Sequence, residues 1–255
     1  MAKKPLILVT NDDGYHAPGI RALTEVAQEF GRVLKIAPNK PQSGMGHAIT
    51  INSTLRIDKM PTEGDYQGYE CSGTPVDCVK MALDVLLDET PDLVISGINH
   101  GSNASINVIY SGTMSAALEG YIEGVPSIGF SLLDHSVDAD FEPAKHFVRK
   151  VISMVLAQPK MNFCLNVNIP KLPLEMIQGI KFGRQAHAKW QEEFDKRKDP
   201  MGNDYYWLTG HFVPFEDHKE DTDLYALQNG YVSIVPISFD FTNYSTLEAI
   251  KEWTT

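Results

Sequence analysis

The chain has 255 residues, 43% hydrophobic and 22% charged, a composition that excludes a fibrous or disordered protein. One large domain fits this length and can bury a core without disulfides or a structural metal, so any metal bound here is expected to be functional. Lysine and arginine total 22 against 33 aspartates and glutamates, and the formal charge of −11 argues against a DNA or RNA polymer as partner.

Leu6 to Val9 form a short β-branched apolar run that ends in polar Thr10 to Gly14, the pattern of a buried parallel strand opening into a loop. Pro18-Gly19 then leads into Ile20, Leu23, Ala27 and Phe30 at helical spacing, and Val33, Ile36 and Ala37 predict a second strand stopped by Pro38. This β-α-β opening favours a parallel α/β sheet. Gln42 to Asn52, with Ser43-Gly44-Met45-Gly46, predicts a loop. Thr74-Pro75-Val76-Asp77 supplies an N-cap, a proline and an acidic first turn for a helix running to about Leu87.

Asp92 to Ser96 predicts the next buried strand, followed by a polar loop from Gly97 to Asn107. Ser111-Gly112-Thr113 opens a helix through Ala116, Ala117, Leu118 and Ile122, and Pro126 to Leu133 is a further strand. Ala144, Phe147, Val148, Val151, Ile152, Val155 and Leu156 mark an amphipathic helix that should cover one sheet face. Phe163 to Ile169 reads as the last central strand, ending at Pro170. After Pro173, Trp190, Tyr205, Tyr206, Trp207, Phe212 and Phe215 crowd a charged stretch of weak periodicity, which suggests an extended arm or hairpins that pack on something else. Residues 1–172 are therefore read as the main α/β domain and 173–255 as an arm with hairpins and a terminal helix, belonging to the same unit. Tyr231 to Pro236 is a final strand and Leu247 to Trp253 a short terminal helix, with no internal repeat or low-complexity linker.

Cys71, Cys78 and Cys164 lack the spacing of a disulfide framework or zinc ribbon and are expected as reduced core thiols. The apolar run after Lys3 and Lys4 is too short for a signal peptide and none reaches membrane-spanning length, so a cytoplasmic location without membrane contact is expected.

Asn11-Asp12-Asp13-Gly14 follows the first strand at its carboxyl end, where ligands collect in open α/β sheets. Adjacent carboxylates repel, so something positive should offset them, and oxygen-only ligands point to Mg²⁺ or Mn²⁺. An Asx-turn or helix-entry cap is the plainer use of the same residues. Asn99 and Asn103, in the loop after the strand at Leu93 to Ile95, offer neutral oxygens and amide donors. They would share that rim if the two strands are neighbours. Ser111-Gly112-Thr113 at a helix start has hydroxyls and unpaired N–H groups suited to a phosphate, or to ordinary capping. Ser43 and Gly44 are a third rim candidate. No dinucleotide fingerprint, P-loop, nucleophile elbow or zincin motif is present. His16, His47 and His100 lie in the candidate loops, where each reads first as a solvated side chain.

The runs ILVTNDDGYHAPGI from Ile7 to Ile20, SGINHGSN from Ser96 to Asn103 and YSGT from Tyr110 to Thr113 resemble the SurE stationary-phase survival nucleotidases. Ala37-Pro38 with Gln42-Ser43-Gly44, the run from Ser72 to Asp77, Gly124 to Ile128, Thr222-Asp223 and Gly230 to Ile234 match in the same order across nearly the whole chain. The resemblance implies a Rossmann-like α/β fold, a three-layer sandwich around a mainly parallel sheet, with a C-terminal oligomerisation arm that gives homodimers or homotetramers. It implies a metal-dependent phosphomonoesterase acting on nucleoside 5′-monophosphates, in some members also on 3′-monophosphates and short polyphosphate. Asp12, Asp13, Ser43 and Asn99 would hold one divalent ion per subunit, Mg²⁺ or Mn²⁺. Asn103, Ser111, Gly112 and Thr113, with Gly44 beside them, would hold the phosphate, and Asp12, Asp13 and Asn103 are the catalytic candidates. His100 is assigned no role by the resemblance. Two rivals stand beside this reading: a haloacid-dehalogenase-like phosphatase, which would show D-x-D spacing after its first strand, and a nucleotide-binding regulator without turnover.

Overall fold

The fold is taken from a computed structural model that describes residues 3–62, 64–158, 161–216 and 218–254. In chain order it contains β1 (Leu6–Thr10), α1 (Pro18–Phe30), β2 (Arg32–Pro38), β3 (Ile57–Met60), β4 (Tyr66–Cys71), α2 (Pro75–Met81, prolonged by a π-helical turn over Ala82–Leu86) and β5 (Leu93–His100). Then follow α3 (Asn107–Tyr110), α4 (Gly112–Ile122), β6 (Ser127–Leu132), α5 (Glu142–Leu156), β7 (Cys164–Ile169), β8 (Ile180–Phe182), β9 (Ala188–Lys198), β10 (Asp204–Pro214), α6 (Asp223–Gln228), β11 (Val232–Ile237) and α7 (Tyr244–Lys251).

Alternation along the buried strands builds the layers. Ile7 and Val9 of β1 pack with Leu23 and Val26 of α1 and with Phe147, Val148, Val151 and Ile152 of α5 on one face. Leu8 points the other way, and with Leu34, Ile36 and Val94 it meets Cys78 and Val79 of α2 and Ala116 of α4. Period-two side-chain alternation, with apolar residues at both parities, is why the strand is hydrophobic throughout and needs helices on both sides. The three cysteines are free and buried.

Nine strands form one sheet in the order β3-β4-β2-β1-β5-β6-β7-β11-β8. β4 through β7 in that order run parallel, β3 and β11 join antiparallel, and β8 lies parallel to β11. The chain passes from β1 outward to β2 on one side, while β5 lies against β1 on the other, pairing Thr10 with Ser96. The carboxyl ends of β1 and β5 therefore flank a topological switch point, the crevice where doubly wound sheets bind ligands.

The predicted loop from Gly97 is corrected: β5 continues through Gly97 to His100, with an irregularity between Ser96 and Asn99 in its pairing to β6. Gly97 has φ +127°, and a Cβ there would stand 2.3 Å from the Phe130 carbonyl oxygen, so this glycine serves to keep the strand pressed on β6 and not to open a loop. β3, β4, α3, β8 and α6 were not anticipated. The segment after Pro173 returns β8 and β11 to the main sheet, while β9 and β10 form a separate antiparallel hairpin paired from Ala188–Pro214 to Lys198–Asp204. Among the described residues no helix is long and apolar enough to cross a membrane.

Candidate functional site

Four segments converge at the switch point: the turn after β1, the loop after β2, the end of β5 with its following loop, and the start of α4. They bound a cavity of about 680 Å³ that Asp12, Asp13, Ser43, Gly44, Asn99, Asn103 and Ser111 line together. Backbone bonding ties the second segment to the first, since the Gln42 N–H donates to the Asp12 carbonyl at 2.8 Å. Asn11 closes the turn, its amide donating to the Gly14 carbonyl (3.0 Å) and accepting from the Gly14 N–H (3.2 Å), so its own polar atoms are taken by the Asx-turn.

Asp12 is almost fully buried, and the Thr113 hydroxyl donates to its Oδ1. Burial and then the neighbouring Asp13 charge push its pKa up to about 6, against the pull of the hydroxyl and backbone N–H of Thr113. Burial likewise raises Asp13, opposed by His100. Asp13 Oδ2 is buried with no hydrogen-bond partner among the described residues. An orphaned carboxylate oxygen is costly unless something positive meets it. Gly112 and Thr113 stand behind this pair: a Cβ on Gly112 would lie 2.7 Å from the Asp12 Cβ, and Thr113 is wholly buried against the same carboxylate. Ser111 caps α4, its Oγ accepting from the Met114 N–H at 3.0 Å, and still faces the cavity.

The Asn99 amide nitrogen donates to the carbonyls of His100 (3.3 Å) and Gly101 (2.9 Å), which turns its own carbonyl oxygen into the group available to a ligand. Two carboxylates, the Ser43 hydroxyl and the Asn99 amide make an all-oxygen donor set, suited to a hard cation. Among the described residues no group of three or more His, Cys, Asp or Glu could hold a metal ion. His16 pairs with Glu70 at 3.2 Å and His47 with Glu119 at 2.7 Å, both away from the cavity, whereas His100 lines it.

Asn103 is held by residues that the sequence reading passed over. Its amide donates to Ser131 Oγ, its N–H to Asn168 Oδ1, and its carbonyl accepts from Asn166 Nδ2, each at 2.8 Å. The Asn168 amide in turn donates to Asn166 Oδ1, so the network is closed and buried. The available signal was Asn166 and Asn168 at alternate positions of an otherwise apolar central strand, placed on one face by the pleat. Two residues on, Ser105 adopts φ +57°, a conformation uncommon for a residue with a Cβ. Buried Asp223 holds it there: Oδ2 accepts from the Ser105 N–H at 2.7 Å while Oδ1 accepts from the Ala186 N–H at 2.9 Å, and the Ser105 hydroxyl donates to the Ala186 carbonyl at 2.8 Å.

Ala186 lies two residues before the hairpin, whose root reaches the same cavity through Trp190 and Phe212, joined by Leu224 and Leu227 of α6. The reading of these aromatics as an arm packed on something else placed no residue of this stretch in the site.

The family model "Survival protein SurE" matches residues 7–192. A protein named 5′-nucleotidase SurE from Flavobacterium psychrophilum is 58% identical over 252 residues, covering 98% of each chain. Another of that name from Christiangramia forsetii is 57% identical over 254 residues, covering 98% of this chain and 97% of the relative. The crystal structure of the SurE protein from Aquifex aeolicus superposes with a TM-score of 0.84 at 40% identity, covering 98% of this chain and all of the other.

Proposed function

The chain belongs to the SurE family of survival proteins, and from that premise we propose that it is a 5′-nucleotidase that hydrolyses nucleoside 5′-monophosphates to nucleoside and inorganic phosphate. The observation that carries this reading is the buried Asp12–Asp13 pair at the switch point, with one carboxylate oxygen unpartnered among the described residues and a helix start packed behind it. Asp12, Asp13, Ser43 and Asn99 would hold one Mg²⁺ or Mn²⁺ ion, which supplies positive charge against the phosphoryl oxygens.

The chain's own groups do the rest. Thr113 commits its hydroxyl and N–H to Asp12, so its part is to orient that carboxylate. The Ser111 hydroxyl and the Asn103 amide, both on the cavity wall, bind phosphate oxygens and hold the phosphorus in line for attack. Asp13 orients the attacking water through a carboxylate made more basic by burial. Asp12 serves as a poor nucleophile, because it is buried and gripped by Thr113, which disfavours an aspartyl-phosphate route.

Phosphate release measured over a panel of nucleotides, crossed with Mg²⁺, Mn²⁺ and chelator, tests the reading. Release from nucleoside 5′-monophosphates that stops with chelator is expected, and including 3′-monophosphates and short polyphosphate defines the range. Nucleotide binding without release under any metal would favour the non-catalytic regulator, and a trapped phosphoenzyme would favour the haloacid-dehalogenase-like chemistry.

The β9–β10 hairpin extends beyond its root with Phe194, Tyr206, Trp207 and Leu208 more than half exposed. A large apolar surface on so narrow an element marks an interaction site, and we assign it as the arm that joins subunits into a homodimer or homotetramer. Excising residues 193–209 and closing the paired strands with an Asn-Gly turn should lower the mass seen by light scattering while leaving Trp190 and Phe212 in place. A wild-type protein that is already a monomer would refute the assignment.

A further inference from the structure

We propose that the indole face of Trp190 is the shelf on which the nucleobase of the substrate stacks, a role that rests on the nucleotidase reading. The cavity brings together two chemistries that a nucleotide also combines: carboxylates and amides from the strand ends, and an apolar wall from Trp190, Phe212 and Leu227. A phosphate site needs only the first.

The ring is built to stay where it is. Its Nε1–H donates to Asn107 Oδ1 at 2.8 Å, and Phe212, directly opposite in the hairpin register, packs edge-on with ring centroids 5.6 Å apart and planes at 68°. An aromatic locked by a hydrogen bond and an edge contact has already lost the freedom that binding would otherwise remove. Yet 39% of this locked residue remains exposed, and it lines the cavity. Packing that served only the fold would have covered it.

With its N–H taken by Asn107, the indole offers a ligand its π-face and no hydrogen bond. Every base has a matching face, so stacking here discriminates poorly among bases and favours the larger purines. The recognised class is therefore nucleoside monophosphates of any base, set apart from sugar phosphates by the presence of a flat ring.

The test compares a nucleoside 5′-monophosphate with ribose 5-phosphate, which keeps the phosphate and sugar and lacks the base. In Trp190→Ala the ratio of their kcat/KM values should fall by roughly 5- to 150-fold, the range expected for loss of one base–aromatic stack, with the change mainly in KM. Trp190→Phe keeps a π-face and should restore most of the ratio. A ratio unchanged in Trp190→Ala overturns the proposal, whereas a wild type that hydrolyses neither compound overturns the nucleotidase reading instead. Should the alanine variant fold poorly, Trp207→Phe with Trp253→Phe leaves Trp190 as the sole indole. Adenosine should then quench its fluorescence saturably where ribose does not, and absence of quenching would equally count against the shelf.

Discussion

Asp12→Asn and Asp13→Asn should each lower kcat/KM by on the order of 10⁴-fold, the scale seen when a charged member of a catalytic set is lost. Asp13→Asn should also melt higher than the wild type once divalent cations are stripped. Both effects have one cause. Asp13 carries a buried oxygen without a partner among the described residues, and its charge raises Asp12, so the cation-free fold holds two carboxylates that it would hold more cheaply as neutral groups. The sign of the pH dependence follows. A group whose folded pKa is raised contributes stability that is present below its unfolded value, near 3.9, and is lost as pH rises through the folded value. In chelator, the wild type and Asp13→Asn should melt alike near pH 4. The variant should pull ahead as pH rises to about 6, where Asp12 ionises against the opposition of the Asp13 charge. Melting curves across that range, with titration of Mn²⁺ by calorimetry, check both halves. Near-normal turnover, or a variant that melts below the wild type at pH 7, would refute the assignment.

Gly112→Ala should cut kcat by about 100-fold, the scale set by displacing a reacting group by roughly 1 Å. The added methyl would meet the Asp12 Cβ at 2.7 Å and Oδ2 at 2.9 Å, so Asp12 must move or α4 must lift away from it. Alanine is otherwise the better helix residue by about 1 kcal/mol, and a substitution at the first position of α4 would be expected to stabilise. Activity lost together with stability therefore reports the clash. A variant with unchanged kcat would mean that Asp12 tolerates displacement.

The parallel core and the two acidic and amide-bearing rims were legible because they follow local rules: short β-branched runs ending in polar turns, and helices with caps and apolar stripes. What escaped depended on partners distant in the chain. Tyr66 to Cys71 alternates poorly and contains Gly68, whose lack of a side chain is accounted for only by Tyr15, which occupies the space a Cβ would need. Lys35 looks misplaced in a buried strand, yet its ammonium lies 3.8 Å from the centre of the Tyr15 ring, while burial lowers its pKa to about 8. Asn166, Asn168 and Asp223 carry no signature as supports, since what they support is a loop more than 60 residues earlier. Trp190 was legible as an unusual aromatic, and its partner Asn107 was not.

The Asp223 clamp also bears on how the molecule comes into being. A chain emerging vectorially can pair β1 through β7 and close the Asn166–Asn168 network on Asn103 before α6 has emerged. Ser105 cannot be held in its left-handed conformation until Asp223, 118 positions later, has emerged and docked against Ala186 as well. The same carboxylate that steadies the loop thus withholds a finished pocket from the nascent protein. A ribosome-bound chain stopped before α6 would carry every proposed ligand of the cation and still lack the clamp on Ser105 and the Leu224 and Leu227 part of the cavity wall.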